Sequence, residues 1–130
     1  MNADEFRRIG HRVIDDLASY FETVDEKPVF PSVRPEDVEA LFDEPVPREA
    51  SGAEAVLAEL DEKLYPYCTH TGNGGYMGLI TASPLPIGVI GDLIASGLNQ
   101  NLGVYSIGPS AVAMERRTVR WLGRCVAPAL

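Results

Sequence analysis

The chain has two lysines, two histidines, two cysteines and one tryptophan in 130 residues. Cys68 and Cys125 are isolated from each other and lack the spacing of a metal site. A disulfide between them stays open at this stage, with free thiols in a reducing compartment the favoured reading. No metal site is expected. The opening Met1-Asn2-Ala3-Asp4-Glu5-Phe6 is charged and has no apolar run, so it is not read as a signal peptide. The longest apolar stretch, Leu85 to Leu98, is broken by Gly88, Gly91 and Asp92, and no membrane span is expected. A cytoplasmic location is the default expectation.

Positive charge is also scarce. The net charge is −8, which argues against nucleic acid as the main partner. The balance is uneven. Residues 1–62 hold 17 acids against 6 bases, whereas residues 63–130 hold 2 acids and 5 bases. Four of those bases, Arg116, Arg117, Arg120 and Arg124, fall on one predicted helix. They are read as a solvated face or a partner for the acidic half.

What is present is mostly helical pattern. Phe6, Ile9, Val13, Leu17, Tyr20 and Val24 recur at spacings of three and four, predicting an amphipathic first helix whose stripe needs covering. His11, within it, is read as a surface or interface residue. Five prolines between Asp25 and Pro47 predict an extended connection, with room for a short helix between Pro35 and Asp43. Ser51 and Glu54 have the spacing of a capping box ahead of a helix carrying Val56, Leu57, Leu60 and Leu64.

Segment 66–111 has nine glycines and one charged side chain, Asp92. The cluster Thr71-Gly72-Asn73-Gly74-Gly75 lacks the Lys-Ser/Thr of a phosphate loop and reads as a turn. Tyr76 to Ile80 is expected to be a short strand. Thr81 or Ser83 is expected to cap a helix with Pro84 in its first turn, presenting Ile87, Ile90, Leu93, Ile94 and Leu98 nearly all round. Asp92 is expected to find a buried donor or to line a dimer seam. A last helix, capped by Ser110, holds Met114, Trp121, Leu122 and Val126. A helix apolar on every side is buried in a large protein or an interface. The pattern therefore implies either an obligate oligomer or further polypeptide after Leu130.

These residues also carry a resemblance. Asn2 to Gly10, Val29-Phe30-Pro31-Ser32-Val33, Thr69-His70, Ile80-Thr81-Ala82-Ser83, Ala95 to Asn101, Pro109-Ser110-Ala111, Glu115 and Trp121-Leu122-Gly123 occur in the order and approximate spacing of the group II pyridoxal-phosphate-dependent amino-acid decarboxylases. The chain resembles the N-terminal quarter to third of that family. The fold this implies is mainly α, the helical arm and the start of the large domain of a fold-type I enzyme, with the short strand near 76–80. Residues 1–66 would be the dimerisation arm. Residues 67–130 would be a Gly-rich pocket-edge segment plus two helices leading into a cofactor-binding domain not contained in the chain.

By that resemblance, the N-terminal helices exchange between subunits of a homodimer. Ile80, Thr81, Leu102 and Val104 would be substrate-pocket walls, and His70, Tyr76, Asn99 and Asn101 pocket-edge candidates. No residue is assigned a catalytic role. Two departures stand out. Asn73-Gly74-Gly75-Tyr76 replaces the family's His-Pro and following aromatic, and Leu79, Ile80 and Val104 replace aromatics that line aromatic-acid pockets. An aromatic substrate is therefore not supported at this stage.

Pyridoxal phosphate, the cofactor implied for the complete enzyme, is an electron sink that needs a Schiff-base lysine with a lowered pKa. Lys27 and Lys63 each follow carboxylates, which act the other way. This segment alone is therefore expected to hold no cofactor and to be inactive. Cys68 and His70 suggest a nucleophilic pair, but alternate positions of an extended segment point to opposite faces, and no third group is near. The sequence thus supports the N-terminal part of an amino-acid decarboxylase. The alternative is a non-catalytic helical dimerisation module.

Overall fold

The computed structural model describes residues 1–127 and contains helices joined by turns, with no strand among the described residues. It separates into two compact units. The first is Met1–Pro84, and the second begins at Leu85.

In the first unit, α1 (Ala3–Thr23) forms where the apolar stripe predicts it. The Asn2 side chain accepts the Glu5 amide at 2.8 Å, and Asp4 and Glu5 favour the positive end of the helix dipole. A 3₁₀ turn, Val24–Glu26, ends it ahead of Pro28. The short helix α2 is Pro35–Leu41, with proline at its first position.

Helix α3 (Ala53–Lys63) starts one residue later than the capping box requires. Gly52 is its N-cap, and no side chain caps it. The reason lies on α1. The Glu54 carboxylate bonds Arg8 and, at 2.8 Å, Arg12, so it does not fold back on its own helix. Arg12 also holds Asp61 at 2.9 Å. These exposed pairs orient α3 against α1 more than they stabilise it.

The strand expected at 76–80 is absent. Tyr76 to Ile80 runs as coil and bends. A lone extended segment has no ladder to satisfy its amides, and no neighbouring strand exists here to provide one. Ile80 is 103% exposed.

In the second unit, α4 spans Pro86–Leu98, not a segment capped by Thr81 or Ser83. Pro86 pushes Leu85 into the extended region (φ −88°, ψ 130°), so the helix cannot begin before Pro86. It stops at Asn99, which adopts the left-handed conformation (φ 43°) and donates its amide to the Ala95 carbonyl. Helix α5 is Pro109–Val126. Its N-cap is Gly108, and Ser110 lies inside the first turn because Pro109, with φ preset for a helix, takes the first position.

Little is buried. Among the described residues, Val24 at 8% and Val112 at 4% exposure are the buried apolar side chains, and His70 at 7% is the buried polar one. Ile87, Leu93, Ile94 and Leu98 of α4 are all exposed. Asp92 is exposed as well, so no buried donor meets it among the described residues. The accessible surface is 10788 Å². A compact monomer of this mass exposes roughly 6,700 Å², and even two separate compact bodies of these sizes expose only about 8,000 Å². Apolar surface that a soluble fold would cover is open here.

Candidate functional site

The first unit holds an open groove of about 460 Å³, lined by Leu17, Tyr20, Tyr65, Cys68 and His70 with Asp16, Asp61 and Lys27 among its polar walls. Helix α1 supplies one side. The turn after α3 and the segment Cys68–His70 supply the other.

His70 is the centre of this arrangement. Its Nδ1 lies 3.2 Å from the Tyr20 hydroxyl, with the two rings tilted at 44° and 5.6 Å apart. Its amide donates to the Val29 carbonyl at 3.0 Å. Burial pushes the imidazole pKa down, and nearby Lys27 pushes it further in the same direction. The ring is therefore neutral at physiological pH. Burial also raises the Tyr20 pKa, with a smaller contribution from Cys68.

Cys68 and His70 both line the groove, contrary to the alternation expected of a regular extended segment. Each is engaged elsewhere. The Cys68 thiol donates to the Leu64 carbonyl at 3.4 Å, and His70 faces Tyr20. The segment is not a flat strand, because the 3₁₀ turn Tyr65–Tyr67 feeds directly into it. Cys68 and Cys125 are both free thiols.

The Gly-rich turn braces the groove from behind. Asn73 donates from its side-chain amide to the Val24 and Lys27 carbonyls, both at 3.0 Å. Its side-chain oxygen accepts the Gly75 amide at 2.7 Å, and the Gly74 amide reaches Asp25 at 2.8 Å. A Cβ on Gly75 would meet the Asn73 side-chain oxygen at 3.0 Å and the Val29 side chain at 3.2 Å, a tight approach that a larger residue would have to push back by a few tenths of an ångström. The Asn73-Gly74-Gly75 turn thus builds a clasp on the end of α1. Tyr76 packs against Phe30, ring centroids 5.8 Å apart.

The residues expected as pocket walls do not line this groove. Ile80 and Thr81 are exposed in the first unit, and Leu102 and Val104 are exposed in the second. Asn99 forms the end of α4, and the Asn101 side chain accepts the Gly103 amide at 2.8 Å. His11 is exposed. The Tyr20–His70 pair and the Asn73 clasp were not found by sequence reasoning. The Thr-Gly-Asn-Gly-Gly composition announced a turn, but nothing local announced its partners.

Lys63 is held between Glu44 and Glu59, the latter at 3.0 Å, and the two carboxylates raise its pKa. That direction is opposite to the one a nucleophilic or Schiff-base lysine needs. Among the described residues, no group of His, Cys, Asp and Glu is arranged to hold a metal ion, and no helix is long and apolar enough to cross a membrane.

No protein-family model matches the chain. It is 32% identical over 128 residues to a tyrosine decarboxylase of Oryza sativa, covering 97% of this chain and 24% of that protein. It is 28% identical over 126 residues to a phenylacetaldehyde synthase of Petunia hybrida, covering 97% and 25%. Its fold superposes with a TM-score of 0.84 and 26% identity on a crystal structure of Oryza sativa TDC with PLP and tryptamine, over 95% of this chain and 26% of that one. The chain thus spans about a quarter of the length of the curated relatives it matches. In sequence and in fold it is homologous to the N-terminal segment of the group II pyridoxal-phosphate-dependent decarboxylases.

Proposed function

We propose that this chain is the helical arm and pocket-edge segment of a pyridoxal-phosphate-dependent amino-acid decarboxylase, working as a cytoplasmic homodimer with exchanged N-terminal helices. The observation that carries this reading is the match to one contiguous quarter of such enzymes, joined to an apolar surface left uncovered in the chain. An exchanged arm has this character, because its apolar faces are completed by the partner subunit and by the large domain.

In the complete enzyme the cofactor supplies an electron sink for the carbanion left when carbon dioxide departs. This segment's part is to shape and close the pocket. Ile80, Thr81, Leu102 and Val104 are assigned to its walls, with His70, Tyr76, Asn99 and Asn101 at its edge. Tyr76 and His70 reach that role through packing, since Phe30 and Tyr20 hold their rings. The carboxylate-bound Lys63 does not fit the cofactor's lysine, so the 130 residues alone are read as inactive.

The substrate of the complete enzyme is an amino acid. The relatives' names make aromatic amino acids the first class to test, although Leu79, Ile80 and Val104 are aliphatic. The purified chain, incubated with pyridoxal phosphate and desalted, is expected to retain no absorbance near about 420 nm, where the lysine-bound cofactor absorbs. Stoichiometric retention of that band would overturn the assignment of both lysines. Self-association of the chain supports the exchanged arm, and a strictly monomeric chain removes it.

A further inference from the structure

Helix α5 carries Arg116, Arg117, Arg120 and Arg124. At 100° per residue these four fall within about 100° of one another, a continuous basic face. Glu115, the helix's one acid, lies on the other side by the same geometry. No ion pair engages any of the four arginines among the described residues, and all are exposed. Arg117 stacks over Trp121 with its guanidinium 4.3 Å from the ring centroid, and Arg116 stands 5.9 Å from the Tyr105 ring. The stacking presets two guanidinium planes and leaves their donors free. Such a helix tolerates like charges at spacings of three and four, which repel each other unless an anionic surface meets them.

The anionic surface that matches is on the first unit, whose first 62 residues have 17 acids against 6 bases. Many of those acids are already paired: Glu54 and Asp61 with α1, Asp37 with Arg34, Glu44 with Lys63. Among the described residues several acids are in no ion pair, and of these Glu39 and Asp43 flank a shallow depression beside Phe42, whose ring is exposed. Carboxylates next to an open aromatic ring suit a guanidinium, which takes bidentate hydrogen bonds and stacks.

We propose that the arginine face of α5 docks on the Glu39–Phe42–Asp43 surface of a second copy of this chain. The occupant is a second copy because the arm is read as self-associating and the acidic complement of its basic face is carried by every copy. The proposal rests on the reading of the chain as a self-associating arm. It adds the contact that aligns the two copies.

The test is sedimentation velocity of the intact chain across a concentration series, with R117E/R120E, E39R/D43R and the four-substitution combination. Each charge reversal is expected to weaken self-association roughly tenfold or more, and the combination to recover most of it. Raising salt from about 50 mM to about 500 mM should weaken the wild type, since exposed charges are screened over a few ångströms at the higher value. A dimer indifferent to both reversals and to salt overturns the arginine face and leaves the exchanged arm standing. A reversal pair that weakens association without recovery in the combination also overturns it. A wild-type chain that stays monomeric removes both. Circular dichroism on each variant separates lost docking from lost helix, because every substituted side chain is exposed in the single chain.

Discussion

The side-chain amide of Asn73 lies 3.0 Å from the carbonyl oxygen of Val24, a residue 49 positions earlier, and donates to it. A second bond, to the Lys27 carbonyl, completes a clasp that holds the Gly-rich turn on the end of α1. That clasp positions His70 against Tyr20, because the backbone N–H of Asn73 in turn donates to the His70 carbonyl at 3.1 Å.

Asn73→Ala removes both bonds at a half-buried site; the Lys27 carbonyl loses its partner, while the Val24 carbonyl keeps the Lys27 amide. The expected loss is about 1–3 kcal/mol of stability for the first unit. Amide hydrogen exchange should show it, with faster exchange around residues 70–76 and at the end of α1. Unchanged protection there would mean that the clasp closes without Asn73.

The neutral His70 gives the first unit a dependence on pH. Its folded pKa is depressed, so the unfolded chain binds the proton more readily. The contribution of this residue is complete above the ordinary histidine pKa of about 6.5, and it is lost as pH falls from there through the folded value. Thermal unfolding followed across that range should show stability falling towards acid. His70→Gln should flatten the acid limb, and a limb that persists unchanged in the variant assigns it to another group.

Two glycines around α5 predict opposite outcomes. A Cβ on Gly108 would stand 2.4 Å from the Asn101 carbonyl oxygen, whereas one on Gly123 meets nothing within 4 Å. Gly108→Ala must displace backbone and is expected to cost about 1–3 kcal/mol. Gly123→Ala lies in an open helix position and is expected to gain roughly 0.5–1 kcal/mol. Helical circular dichroism with temperature measures both, and equal responses would contradict the packing at the start of α5.

The uncovered face of α4 makes a prediction about solubility. Leu93 and Ile94 are 53% and 55% exposed, so L93D/I94D replaces mainly open apolar surface in the single chain. The variant is expected to bind less of a fluorescent apolar dye and to aggregate more slowly than the wild type. If the face is instead covered in solution by another copy, the same variant will weaken self-association. Light scattering separates the two results.

Much of the fold is legible in the residues. The stripe from Phe6 to Val24 specifies α1 because burial repeats every three or four positions, and the prolines mark where helices cannot continue. The precise starts were less legible. Pro84 and Pro86 are both candidates for a first turn, and the choice between them came from the conformational limit that Pro86 sets on Leu85. The capping box failed for a reason outside its own helix, since Arg8 and Arg12 drew Glu54 away. The apolar run at Tyr76–Ile80 has strand composition, but a strand exists only with a neighbour, and pairing is a property of the whole chain.

By itself the sequence determined the helical class, the family likeness and the excess of apolar surface, because each depends on residue type and local spacing. Tertiary structure alone decided that Tyr20 meets His70, that Asn73 closes on Val24, and that Lys63 is bound between two carboxylates. Those relationships join residues up to 50 positions apart. Hydrogen bonds and ion pairs form over about 3 Å, a scale that no pattern along the chain can resolve until the chain has folded.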